Sequence, residues 1–184
     1  MISFNEKTHE YECEGKVYPS VTQILQDCGL IDISWYTEES AMRGTYVHEC
    51  LKLMDENVPL VMLDTGPDIK GYIDAYLHFK HDTDYKVLQI EKPYIDKNLR
   101  LAGTPDRICT INGTDCILDI KTGQKQEWHG LQLRGYKLLV GEGSFLLRAI
   151  YLNINGKYRL ESYKDSDYRN IFMCALSLYH WKNK

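Results

Sequence analysis

The dipeptide Asn112-Gly113 constrains this chain more than any other two residues. Asn-Gly closes a two-residue type I′ hairpin, a loop that needs positive φ at both positions. It lies at the midpoint of 103-GTPDRICTINGTDCILDIKTG-123. With Ile111 and Thr114 closing the loop, residues whose numbers sum to 225 face each other, as 106 and 119 do. Asp106 and Asp119 are then directly opposed, with Cβ atoms roughly 4.5–5.5 Å apart. Side chains alternate along a strand, so Lys121 shares the face of Asp119 and Thr104 stands across from it. A four-residue loop would offset the aspartates on one face, and a three-residue loop would separate them.

The other face of the hairpin carries Cys109, Ile111, Cys116, Leu118 and Ile120, a core-facing set, while the aspartate face offers only Ile108 and Ile117 as apolar neighbours. Opposed like charges destabilise a sheet unless a proton or a cation intervenes. Convergent carboxylate oxygens suit a hard divalent cation, Mg²⁺ or Mn²⁺. The competing reading is an exposed hairpin whose Asp106 is tied to Arg107 or Lys121 in surface ion pairs.

The 184 residues suffice for one substantial core, and 43% apolar with 26% charged residues is ordinary for a globular protein. No apolar run approaches the roughly 18 residues of a membrane span, and no basic, hydrophobic leader is visible, so a cytoplasmic protein without a membrane partner is expected. The six cysteines, at 13, 28, 50, 109, 116 and 174, form no C-x-x-C pair, and several read as buried free thiols. The net charge of −4 argues against a uniformly basic nucleic-acid coat. Its distribution is uneven. Residues 1–119 carry 11 Lys/Arg against 21 Asp/Glu, and residues 120–184 carry 11 against 5, which places positive charge downstream of the carboxylate pair.

The pattern predicts an opening hairpin, His9–Cys13 and Lys16–Tyr18, around Glu14-Gly15. A helix capped by Ser20 follows, with Val21, Ile24, Leu25 and Cys28 as its apolar stripe. A second helical region runs from about Ser34 to Glu56, broken or closely approached near Gly44, with Val47, Cys50, Leu51 and Met54 inward. Residues 57–66 read as a loop, and a third helix begins at Pro67 with Ile69, Tyr72, Ile73, Tyr76 and Phe79 or Lys80 following the 3.6 period. Three strands are expected at about Lys86–Ile95, Arg100–Ile111 and Cys116–Lys121. Then come a helix at Glu127–Val140, strands at Leu146–Asn153 and Tyr158–Lys164, and a last helix burying Ile171, Cys174, Leu178 and Trp181. This order describes an α/β fold, a sheet flanked by helices with an N-terminal helical region.

Pro105-Asp106 followed by Asp119-Ile120-Lys121 spells P-D…D-x-K, and here the chain resembles the PD-(D/E)xK nucleases, their RecB-like exonuclease branch in particular. Further blocks resemble that branch in its order: 18-YPSVTQIL-25 and 43-RGTYVHE-49 its N-terminal helices, Glu91 in 90-IEKPYI-95 its first-strand glutamate, and 132-QLRGY-136 the helix after the motif. The resemblance implies a restriction-endonuclease-like core with a central mixed sheet, and one nuclease domain over 1–184, with hairpin and helices in 1–85 and the core in 86–184. It implies Mg²⁺ or Mn²⁺ held by His48, Asp106, Asp119 and the Ile120 carbonyl, with Glu91 a further candidate. Asp106, Asp119, Lys121, Gln132 and Tyr136 are the candidate catalytic residues; Arg43 and Thr122 are candidate substrate contacts.

Lys121 beside the carboxylates would position the attacking water and stabilise charge on the phosphate. Gln132 and Tyr136, spaced i, i+4, share a helix face. Some relatives carry an iron–sulfur cluster on a closely spaced C-terminal cysteine trio. Cys174 stands alone after Cys116, so no cluster is expected. Without helicase motifs, the chain is similar to the stand-alone exonucleases of viruses and prophages and to the mitochondrial genome-maintenance exonuclease group. The expected activity is metal-dependent DNA exonuclease cleavage in recombination, repair or genome processing, on single- or double-stranded DNA. A structure-selective endonuclease and a non-cleaving nucleic-acid-binding module of the same fold are the alternatives, and a homo-oligomer is compatible with the sequence.

Overall fold

The computed structural model describes residues 2–5, 10–31, 37–59 and 67–184. The 112–113 turn forms as its chemistry dictates. Asn112 and Gly113 take φ of 52° and 75°, and strands β7 (Arg107–Ile111) and β8 (Thr114–Lys121) pair antiparallel with Ile111 opposite Thr114 and Arg107 opposite Leu118, the expected register.

Strand β8 is the centre of a five-stranded sheet. Beyond β7 lies β4 (Tyr85–Ile90), antiparallel, and on the other side β8 runs parallel to β9 (Leu146–Leu152), which pairs antiparallel with β10 (Tyr158–Tyr163). Helix α4 (Trp128–Val140) makes the β8-to-β9 crossover that a parallel pair requires. A mixed sheet with helices on both faces is the restriction-endonuclease-like architecture.

Both faces of the sheet are covered. Helices α2 (Glu38–Asp55) and α3 (Pro67–Asp82) bury Val47, Leu51, Tyr72, Tyr76 and Phe79 against Cys109, Leu118, Ile120 and Ile150. On the other face α1 (Val21–Asp27), α4 and α5 (Asp165–Lys182) bury Ile24, Leu133, Tyr136 and Phe172 against Ile117, Leu147 and Ala149. The aspartate face of the hairpin is therefore interior as well: Ile108 and Ile117 are buried, and the exposed-hairpin reading fails. No helix among the described residues is long and apolar enough to cross a membrane.

Ser20 and Gln23 form the capping box that starts α1. The opening hairpin, β2 (Glu10–Cys13) and β3 (Lys16–Tyr18), gains a third strand, β1 (Ile2–Asn5), that the sequence pattern did not indicate; His9 lies outside the described residues. Helix α2 starts at Glu38 behind a Thr37/Ser40 capping box and runs through Gly44 without a break. Gly44 is a point of close approach only, since a Cβ there would lie 3.6 Å from Thr122 Oγ1. Residues 34–36 of the expected helix and 60–66 of the expected loop lie outside the described residues.

Two corrections concern the strands. The expected Lys86–Ile95 divides into β4 and β5 (Tyr94–Asp96), because the backbone turns at Glu91 with φ of 44° before Pro93. The expected Arg100–Ile111 divides into β6 (Leu101–Gly103) and β7, with Pro105 in the gap. Strands β5 and β6 form a separate two-stranded ribbon, and Thr104 bonds Tyr11 (2.8 Å) instead of facing Lys121.

A third correction concerns α5, which buries Phe172, Ala175 and Leu176 and leaves Ile171, Cys174, Leu178 and Trp181 exposed. The helix has apolar rows on two sides, and glycines of α4 select the inner one. A Cβ on Gly130 would lie 2.4 Å from Tyr168, and one on Gly135 2.8 Å from Phe172, so these two rings fill the space the glycines leave.

Candidate active site

Where β7 gives way to Pro105, strand β8 loses its neighbour, and the site is built on what this exposes. In a two-residue hairpin the closing pair is hydrogen-bonded and alternate pairs beyond it repeat the pattern, which puts residue 105 in a bonding position opposite Ile120. Proline has no N–H to give. The Ile120 carbonyl instead accepts from His48 Nε2 of α2 at 3.0 Å, and the Ile120 N–H donates to Asp106 Oδ2 at 2.7 Å. The second imidazole nitrogen of His48, Nδ1, faces Asp106 Oδ2 at 3.8 Å. Asp106, Ile120 and His48 are thereby gathered at one end of the sheet.

Asp119, next on β8 and only 2% exposed, projects toward the α4 layer. Burial, reinforced by Asp106, outweighs the nearby Lys121 and pushes its carboxyl up to about 6. Its Oδ2 lies 2.7 Å from Lys121 Nζ yet accepts no well-directed hydrogen bond. Lys121 also donates to Gln132 Oε1 (2.8 Å) and lies over the Trp128 ring. Gln132 Nε2 in turn donates to the Tyr136 hydroxyl (3.0 Å), and the phenol, fully enclosed, is held far above its ordinary pKa by burial and by Asp119. The i, i+4 pair thus acts in series, Tyr136 backing Gln132 and Gln132 orienting the lysine.

His48, Glu91, Asp106, Asp119, Ile120, Lys121, Thr122, Gln132 and Arg43 all line one cleft of about 1250 Å³. Tyr136 stands behind it. Arg43 Nε is buried there without a hydrogen-bond acceptor among the described residues. Glu91 is engaged by cations, Lys52 at 3.2 Å and Arg107 at 3.6 Å.

The donor set fits a hard divalent ion: two carboxylates, an imidazole and a carbonyl, with one buried carboxylate oxygen poorly satisfied. As they stand, no three His, Cys, Asp or Glu side chains among the described residues are clustered around one point, and Lys121 sits 2.7 Å from the Asp119 oxygen.

A profile of the PD-(D/E)XK nuclease superfamily matches residues 68–172. The chain belongs to the PD-(D/E)XK nuclease superfamily. Members typically use divalent metals such as Mg²⁺. The matched segment contains the hairpin and α4, and His48 and Arg43 reach the cleft from outside it. A search among curated proteins finds no match.

Lys52 and His129 are among the cleft residues that sequence reasoning did not single out. Lys52 is one helical turn beyond His48, a spacing that would have found it. His129, three residues before Gln132, is 2% exposed, and its Nδ1 accepts from the Gln126 N–H (3.3 Å) and the Tyr151 hydroxyl (2.7 Å). Those contacts leave Nε2 as its N–H donor, and burial, with Lys121 nearby, pushes its pKa down to about 3. Behind the site lies an ion pair the sequence did not announce: Arg107, wholly buried, donates to Asp55 of α2 (2.7 Å) and to the Asp106 carbonyl (2.7 Å).

Proposed function

We propose that this chain is a Mg²⁺- or Mn²⁺-dependent DNA exonuclease of the RecB-like branch, a single nuclease domain that hydrolyses phosphodiester bonds and leaves 5′-phosphates. Cytoplasmic DNA recombination, repair or genome processing is the setting this reading gives it. The observation that carries the proposal is the convergence in one cleft of Asp106, Asp119, the Ile120 carbonyl and His48 with Lys121.

In this reading Asp106, Asp119, His48 and the Ile120 carbonyl hold the ion, which when bound polarises the phosphate and lowers the pKa of its water. Lys121, released from Asp119, orients the attacking water and stabilises charge on the phosphate, while Gln132 fixes the direction of its ammonium. Arg43 and Thr122, on the cleft wall, contact the strand's phosphates. Glu91 remains paired with Lys52 and Arg107, a wall residue more than a ligand.

The test is a time course on end-labelled linear DNA and on a covalently closed circle with Mg²⁺ or Mn²⁺. Linear DNA should be degraded from its ends, the circle left intact, and Asp119→Ala inactive. Cleavage of the circle would replace the exonuclease by an endonuclease. Binding without turnover would leave only a nucleic-acid-binding module, and an active Asp119→Ala would refute the site.

A further inference from the structure

His129 stands at the second position of α4 and lines the cleft, and the hydrolysis set out above gives it no part. Its tautomer is settled by geometry. The Gln126 backbone N–H can only donate and meets Nδ1 at 3.3 Å, so Nδ1 carries no proton and the Tyr151 hydroxyl, at 2.7 Å, donates to it as well. Tyr151, its own hydrogen committed, accepts from the Tyr163 hydroxyl (2.5 Å), which anchors the ring to β9 and β10. The residue is 2% exposed, and the Trp128 indole meets it edge-on at 4.3 Å. With the Nδ1 edge covered, the part of the ring that reaches the cleft is the edge carrying Nε2–H, and this donor has no acceptor among the described residues. A buried donor left unpaired costs about 1–3 kcal/mol, so one held this firmly is a socket for an acceptor supplied from the cleft.

We propose that His129 donates through Nε2–H to a phosphate oxygen of the nucleic-acid strand in the cleft, an inference that rests on the nuclease reading above. Two features select an anion over a neutral acceptor. The exposed N-cap of α4, Glu127, is not part of the cleft wall and makes no capping bond, so the positive end of a 13-residue helix opens beside His129. Lys121, its ammonium 5.1 Å from the centre of the Trp128 ring, adds positive charge on the same side. Burial and this lysine also keep the imidazole neutral, with its pKa pushed down to about 3. His129 therefore gives a hydrogen bond without adding charge beside an ion on Asp106 and Asp119. The ring cannot turn without breaking both bonds to Nδ1, so its N–H is aimed in advance, as a flexible lysine is not.

Imidazole nitrogen-15 NMR of the full chain in EDTA, where no metal-dependent cleavage intervenes, tests this. His129 should read as the Nε2–H tautomer in the free protein. Its Nε2 proton should move downfield on addition of short single- or double-stranded DNA, and much less with methylphosphonate DNA of the same sequence or with inorganic phosphate. His129→Asn sets an oxygen near the place of Nδ1, keeping an acceptor for Gln126 and Tyr151, and removes the donor; it should weaken DNA binding about tenfold by fluorescence anisotropy with an unchanged circular dichroism spectrum. His129→Gln, whose amide nitrogen reaches the Nε2 position, should bind within about threefold of wild type. An Nδ1–H tautomer, an Nε2 signal indifferent to DNA, an equal response to methylphosphonate DNA or to inorganic phosphate, or equal binding by the two variants would overturn the inference. A wild type that binds and cuts DNA yet fails these tests keeps the nuclease reading, whereas one that binds no DNA loses both.

Discussion

Asp119→Asn should stabilise the metal-free protein while removing its activity, and the gain should depend on pH. Asp119 is pushed from 3.8 up to about 6, chiefly by burial, and that net value already includes the favourable effect of Lys121. Between these values the folded protein holds a proton that the unfolded chain has released. The stability from this group is fully present below about pH 4 and lost as the pH rises through 6. An asparagine resembles the protonated carboxyl in shape and never ionises, and Lys121 keeps its bond to Gln132. A carboxyl lifted this far costs the folded state about 3 kcal/mol at pH 8, roughly half of that at pH 5 and little at pH 4. For a domain of this size, relief of that cost raises Tm by roughly 6–12 °C at pH 8. Thermal melts of both proteins in EDTA at pH 4, 5 and 8 measure it, and repeating the pH 8 melts with Mg²⁺ should raise the wild-type Tm and not the variant's. An equal gain at pH 4 and pH 8, or none at either, would refute the claim that a buried, charged Asp119 strains the fold.

Asp55→Ala strands the buried Arg107 guanidinium and should cost about 3–5 kcal/mol in urea unfolding, whereas Lys80→Ala, which removes a partly exposed partner of the same carboxylate, should cost less than about 1 kcal/mol. Gly71→Ala would place a Cβ 1.6 Å from the Ile154 carbonyl oxygen, backbone that no rotamer change can relieve, and should lower stability by roughly 2–3 kcal/mol in a thermal melt. His48→Ala should weaken Mn²⁺ binding by more than the roughly 10–100-fold that loss of an outer-shell partner brings, measured by calorimetry, and Glu91→Gln, its carboxylate held by Lys52 and Arg107, should leave that affinity unchanged.

What the sequence disclosed follows from how local each determinant is. The hairpin register was legible because Asn112 and Gly113 decide it between them, and the start of α1 was legible because Ser20 and Gln23 satisfy each other within one turn. The inner face of α5 was not legible. Its two apolar rows are equivalent in sequence, and the choice is made by Gly130 and Gly135 on another helix, where a missing side chain receives a ring. The Asp55–Arg107 pair was hidden for a similar reason: 52 residues separate two ordinary charges, and only the packing of α2 on the sheet makes them a buried unit. Lys52 and His129 entered the cleft in the same way, through the helices that carry His48 and Gln132.

Pro105 ties the legible part to the hidden part. Read along the chain, it is a strand breaker two positions before a paired arginine, and its only visible consequence is that β7 begins late. Read across the sheet, it stands where a donor to Ile120 is due and cannot supply one. The Ile120 carbonyl is thereby left without its ladder donor inside a covered sheet, a cost of about 1–3 kcal/mol, and since β7 pairs only from Arg107 onward the Ile120 N–H is outside the ladder too. Asp106 takes the N–H and His48 takes the carbonyl, so the end of the ladder brings a carboxylate and an imidazole to within 3.8 Å of each other. The missing hydrogen of one proline thus frees the Ile120 carbonyl for His48, the early end of the ladder frees the Ile120 N–H for Asp106, and the spacing between Pro105 and Ile120 is fixed by the turn at 112–113.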